Sequence, residues 1–293
     1  MSADIKKEEV KALKKIIEEL QNELTLKNEE ISIYRQELIK FSQRLDTLIF
    51  QMASDSDAAA QIHRVLVPTE LPQLPGFEVS RKFTYGSKSG GDYFDLFEHE
   101  DKMKFGILVA SSSGYSMSAL FLSFVLKVSH ILEAKRGDAA HQILQKIGAD
   151  LKQSAGPNDF TNAFYGIINR RNYKMEFSSV GDIIGYYVTK GRGPLLLKST
   201  DGPFNSEFSA QLKSITLELE PKSRLCIITH GLTDVLGNDR IIRIINDFSE
   251  KGVHDLRNEL LFQASQVSGK ETPDRDQTVV VLEAKDKVIK LAK

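Results

Sequence analysis

An apolar side chain returns every three or four positions through the first fifty residues: Val10, Leu13, Ile17, Leu20, Leu24, Ile31, Tyr34, Leu38, Phe41, Leu45, Leu48 and Met52, interrupted only at Lys27. A period of 3.5 residues held for about six heptads is what a coiled-coil seam requires. No glycine or proline precedes Pro68, so nothing breaks a helix before that point. At about 1.5 Å per residue the rod would span roughly 70 Å, too long for one face of the domain that the rest of the chain can build. The seam therefore implies self-association, with a dimer expected. Lys27 favours a small oligomer because its stem snorkels out of a dimer, whereas Tyr34 and Phe41 are large for a dimer seam. Glu9 with Lys14 and Glu30 with Arg35 can pair across a parallel interface, each worth about 0.5 kcal/mol, enough to bias register. Parallel and antiparallel orders both stay open.

Composition narrows what this rod carries. The 293 residues are 41% hydrophobic, with 39 basic and 40 acidic side chains. Near-neutral charge argues against a nucleic-acid or anionic-membrane footprint. The lone Cys226 cannot close an internal disulfide, and no apolar run reaches the ~18 residues of a membrane span. The N-terminal MSADIKKEEV lacks a secretory apolar core. A cytoplasmic protein is expected, with a coiled-coil oligomerisation segment at 1–57, a globular domain at 58–284 and a short tail at 285–293.

Within the domain, strands and helices interchange. Phe77–Tyr85 alternates like a strand, and Tyr93–Ser111 reads as a hairpin turning at Glu98–Lys102 into the apolar strand Phe105–Ala110. Helical spacing covers Met117–Arg136, Ala139–Gln153, Arg240–Lys251 and Val253–Ser268. Phe160–Asn169, Lys174–Val180, Ile183–Thr189, Ile215–Leu219, Arg224–Thr229 and Thr278–Glu283 read as strands. Runs of strands separated by helices predict an α+β sandwich.

Four short segments stand in order: Gly90-Gly91-Asp92-Tyr93-Phe94-Asp95; Ser111-Ser112-Ser113-Gly114-Tyr115-Ser116; Thr229-His230-Gly231-Leu232-Thr233-Asp234; and Asp274-Arg275-Asp276-Gln277-Thr278 before a final apolar strand. This order resembles the SpoIIE/RsbU branch of the PPM-type, metal-dependent protein serine/threonine phosphatases, in which GGDYYD, GDVSGHG, TDG and DDxT follow one another. Gln61–Pro72 (QIHRVLVPTELP) is similar to that branch's IQxxLLPxxLP-like lead-in. The resemblance covers residues 58 to 284. It implies an α-β-β-α sandwich of two mainly antiparallel sheets flanked by helices, here preceded by the coiled coil. It also implies two Mn²⁺ or Mg²⁺ ions held by the motif aspartates and a backbone carbonyl, activating water against phosphoserine or phosphothreonine.

The chain departs from that pattern at the carboxylates. Asp92 is kept; the second-motif aspartate is Ser111, the TDG aspartate is His230, and the first aspartate of the fourth motif is Arg275, beside a retained Asp276. A one-residue slip would bring in Asp274 instead. A guanidinium has donors only and stays protonated. It repels a cation by up to ~4 kcal/mol per unit charge at 4 Å and an effective dielectric near 20, and every ~1.4 kcal/mol is tenfold in affinity.

Gly91, Asp92, Ser111, His230, Arg275 and Asp276 are thus the expected degenerate metal pocket, with Asp92 and Asp276 as weak residual ligands. No catalytic residue and no cofactor are expected. Arg275 is expected to pair with Asp92, and the pocket to reverse its sign. His230 reads as a satisfied structural histidine, Ser111–Ser113 as a polar loop opening a helix, Asp182 as a turn residue, and Gly90 and Gly91 as sites of close backbone approach. Arg275 with His230 is a second candidate, an anion pocket for a phosphorylated partner.

The expectation is a dimeric pseudophosphatase, a protein-binding module in phosphorylation-controlled partner switching whose partner, by the resemblance, is a STAS-type or other regulatory phosphoprotein. The alternative is an active Mn- or Mg-dependent protein serine/threonine phosphatase.

Overall fold

The computed structural model describes residues 72–87, 91–99, 101–113, 138–198, 201–209 and 211–285, with single helical positions between 20 and 36 and at 125 and 127. By internal contact the chain divides into Met1–Ser54 and Asp55–Lys293. Of the seam, Leu20, Leu24 and Ile31 are helical and exposed. The other seam positions lie outside the described residues, as do the lead-in at 61–71 and, apart from helical Val125 and Lys127, the helix expected at Met117–Arg136.

Among the described residues ten strands form two antiparallel sheets of five. One takes the order β1 (Phe77–Thr84), β10 (Gln277–Ala284), β9 (Arg224–Ile228), β6 (Ile184–Val188), β7 (Leu195–Leu197). The other runs β2 (Asp92–Glu98), β3 (Lys104–Ser112), β4 (Thr161–Asn169), β5 (Lys174–Val180), β8 (Ile215–Glu218). The central strands read as continuous apolar runs because both their faces are covered: β4 is buried from Thr161 to Ile168 and β10 from Gln277 to Leu282. The chain steps from one sheet to the other at the β5–β6 turn, where Gly181 takes a left-handed φ of 67° that a side chain would disfavour.

Alternation assigns each strand residue to a layer. Val280 and Leu282 of β10 meet Phe94, Ile107, Phe164 and Phe177 of the opposite sheet in the central core, while Val279 and Val281 turn outward. Phe164 and Phe177 stack with ring centroids 5.3 Å apart. Helix α1 (Ala140–Ser154) covers the β2–β5 sheet with Ile143, Leu144, Ile147 and Leu151, the helical stripe its sequence shows. At its N-terminus Gln142 Oε1 accepts from the Ala139 N–H at 3.1 Å. Glu176 Oε1 accepts from the Ala140 N–H at 3.0 Å and Ser214 Oγ from the His141 N–H at 3.1 Å. Helices α2 (His230–Leu236), α3 (Asn238–Asp247) and α4 (Val253–Ser268) cover the other sheet through Leu232, Ile241, Ile245, Leu256 and Leu260. The result is a four-layer α-β-β-α sandwich. The first of these three helices was not expected, and Ser111 and Ser112, expected in a loop, continue β3. Among the described residues no helix is long and apolar enough to cross a membrane.

Candidate functional site

Asp92 is the first residue of β2 and pairs with Ser111 across β2–β3. It is 1% exposed. Its Oδ2 accepts hydrogen bonds from Thr229 Oγ1 at 2.5 Å and Thr278 Oγ1 at 2.8 Å, and the Ser111 hydroxyl also bonds the carboxyl. Thr229 Oγ1 in turn accepts from the Thr278 N–H at 2.9 Å. Thr229 follows β9 and Thr278 lies in β10, so one carboxyl group ties the two sheets together.

Asp276, just before β10, is 4% exposed and is held by backbone. Oδ1 accepts from the Gly86 N–H at 2.7 Å, and Oδ2 from the N–H groups of Gly91 at 3.0 Å and Asp92 at 3.3 Å. Such approach needs bare backbone nearby: a Cβ on Gly231 would stand 2.1 Å from the Asp276 carbonyl oxygen, and one on Gly86 2.4 Å from the Arg275 carbonyl carbon. Close approach was expected of Gly90 and Gly91; Gly90 lies outside the described residues, and Gly91 contributes its N–H.

Burial, then the neighbouring Asp276, pushes the Asp92 carboxyl up to about 7, against the pull of the Ser111, Thr229 and Thr278 hydroxyls. Burial pushes Asp276 up to about 6, against its three backbone donors. Two carboxyl groups this close in an apolar setting titrate as a pair, and one retained proton relieves both the repulsion and the desolvation.

The neighbours of these inward residues form the rim. His230 follows Thr229 and places Nε2 3.2 Å from Asp234 Oδ1. Arg275 precedes Asp276 and places Nη1 3.5 Å from Asp234 Oδ2. The expected Arg275–Asp92 pair is therefore not formed. The Arg275 side chain is 53% exposed, and Asp92 is already served by hydroxyls, so burying a guanidinium beside it would add desolvation for little gain. Lys198 pairs with Asp182 at 2.8 Å and Lys270 with Asp274 at 2.6 Å. Asp182 sits in the β5–β6 turn, as expected. Asp274, the alternative fourth-motif carboxylate, faces that lysine at the surface. Ser112 Oγ lies 2.9 Å from Thr161 Oγ1, and Ser113 Oγ accepts from the Phe160 N–H at 2.7 Å.

Thr229, Thr278 and Asp234 were not singled out from sequence. The available signal was a hydroxyl residue in the third motif and another in the fourth, and a carboxylate four residues after His230.

The donor set does not fit a two-metal centre. A carboxylate offers about four lone-pair directions. Asp276 spends three on backbone N–H groups and Asp92 three on hydroxyls. Among the described residues no three His, Cys, Asp or Glu side chains converge as metal ligands.

The family model described as Stage II sporulation protein E (SpoIIE) matches residues 101–285. The chain belongs to the SpoIIE family. Membership places it in the SpoIIE/RsbU branch of the PPM-type phosphatase fold. The phosphoserine phosphatase RsbU of Bacillus subtilis (strain 168) is 21% identical over 140 residues, 48% of this chain and 41% of that protein. The structure is similar to the SiaA-PP2C domain of Pseudomonas aeruginosa, with a TM-score of 0.63 and 17% identity over 82% of this chain and 98% of that one. It is also similar to the RsbU and RsbW domains of a Mycobacterium tuberculosis protein, with a TM-score of 0.64 and 14% identity over 75% of this chain and 63% of that one. The chain thus spans about two-fifths of RsbU and under two-thirds of the mycobacterial structure.

Proposed function

We propose that this chain is a pseudophosphatase: a SpoIIE-family domain that binds a regulatory phosphoprotein without hydrolysing it, on a self-associating coiled coil. The observation that carries the reading is that both retained carboxylates, Asp92 and Asp276, are occupied by the protein's own donors. A divalent cation would have to displace hydroxyl and backbone donors, and would find Ser111, His230 and Arg275 where further anionic ligands are required. Without a metal, no group placed at this pocket among the described residues makes water nucleophilic at neutral pH.

The partner class follows from the relatives. One is a phosphoserine phosphatase, and another joins RsbU and RsbW domains in one chain; a STAS-type or similar phosphoprotein in a partner-switching system fits both. The exposed Leu20, Leu24 and Ile31 support the self-association part of the reading.

Turnover of a phosphoserine peptide with excess Mn²⁺, compared between the wild type and Asp92→Asn, tests it. The expected result is no turnover above buffer for either protein. Robust Mn²⁺-dependent hydrolysis that Asp92→Asn abolishes would overturn the reading in favour of an active phosphatase.

A further inference from the structure

The replacement residues at the rim share a feature that loss of metal alone does not require. Positions 229–230 and 275–276 each send one residue inward to the buried carboxyl network and one outward. The two outward residues, His230 and Arg275, converge on opposite oxygens of one carboxylate, Asp234, at 3.2 and 3.5 Å. An imidazole and a guanidinium on one oxyanion is the donor set that recognises phosphate, which presents more acceptor oxygens than a carboxylate and about −1.5 to −2 charge at neutral pH. The three side chains are 30 to 53% exposed, so an incoming group can reach them.

We propose that His230 and Arg275 form a recognition site for a phosphomonoester, the phosphoserine side chain of a partner protein, and that Asp234 is a resident anion which the phosphate displaces. The inference rests on the pseudophosphatase reading, because the site holds an intact phosphoserine over a pocket that does not activate water. Asp234 sets the threshold. An exposed carboxylate pair is weak enough to exchange, yet its two oxygens already occupy both donors, so an incoming carboxylate with the same single charge gains little by replacing it. A phosphorylated segment therefore binds where its unphosphorylated or Asp-containing form does not.

The experiment is a titration of the full chain with a short phosphoserine peptide, its unphosphorylated form and inorganic phosphate, followed by side-chain and backbone NMR shifts. The phosphopeptide is expected to bind and the unphosphorylated peptide not to. Arg275→Ala and His230→Ala should each weaken binding about fivefold, and Asp234→Asn should strengthen it about threefold. Arg275→Lys, which keeps the charge and removes the planar fork, separates recognition from general surface charge: it should weaken binding, where bulk charge alone predicts no change. No binding, binding that the three substitutions leave unchanged, or weaker binding by Asp234→Asn overturns the proposal. Inorganic phosphate binding as tightly as the peptide overturns the assignment to a partner side chain. The same samples with Mn²⁺ report hydrolysis separately: cleavage defeats the pseudophosphatase reading, whereas failure to bind without cleavage defeats only this site.

Discussion

Replacing Asp92 by Asn should make the protein more stable at alkaline pH, although it alters a buried, triply hydrogen-bonded carboxyl group. The native carboxyl is held up to about 7 from an ordinary value of 3.8. A group whose folded-state pKa is raised stabilises the fold most below its unfolded value, and loses that contribution as pH rises through its folded value. The wild type should therefore be most favoured near pH 4 and lose stability progressively up to about pH 7 to 8. The shift of about three units corresponds to about 4 kcal/mol at about 1.4 kcal/mol per unit. That figure is a ceiling, because Asp276 shares the proton and the two shifts belong to the pair rather than adding. About 2 kcal/mol is the working figure after allowing for that coupling. Asn is isosteric with the neutral carboxyl. Its oxygen accepts from Thr229 and Thr278, and the Ser111 hydroxyl can rotate to accept from its amide. Urea denaturation at pH 5 and pH 8 measures the part of the effect that lies above pH 5: the variant should gain about 1 to 1.5 kcal/mol over the wild type between the two conditions. A wild type as stable relative to the variant at pH 8 as at pH 5 would refute the proton-sharing argument. So would a variant several kcal/mol weaker at both pH values.

Two further outcomes follow from packing. Gly231→Ala places a Cβ 2.1 Å from the Asp276 carbonyl oxygen, so α2 must move away from β10, at a cost of about 2 to 3 kcal/mol visible as a lowered melting temperature. Leu24→Lys puts a charge on an exposed seam position and should shift the chain towards monomer in analytical ultracentrifugation without changing the melting of the sandwich.

Much of this architecture was legible from the residues because the covered strands read as short apolar runs bounded by turn residues. Val279 to Leu282 send successive side chains to the helix layer and the central core, and the positions of most elements follow from such patterns. Helix α2 escaped because its seven residues, His230–Leu236, are too few to show a helical period and begin inside a motif to which no element was assigned. Ser111 and Ser112 escaped for a related reason. Three consecutive serines look like a loop, but Ser111 faces Asp92 and Asn162 on neighbouring strands, where a hydroxyl satisfies a buried carboxyl that an apolar strand residue would leave unmet. The missing aspartates were readable position by position. What replaced them was not: recruitment of Thr229 and Thr278 to Asp92 depends on two strands of the opposite sheet ending at the same level. The capture of Arg275 by Asp234 depends on the unread helix.

The central claim is that this pocket has exchanged metal coordination for hydrogen bonding within the protein. Calorimetric titration with Mn²⁺ tests it most directly, on the wild type and on a variant carrying Ser111→Asp, His230→Asp and Arg275→Asp, which restores the carboxylates the resemblance calls for. The wild type should give no binding heat at millimolar Mn²⁺, and the triple variant should bind. Micromolar binding by the wild type, lost in Asp92→Asn, would contradict the claim.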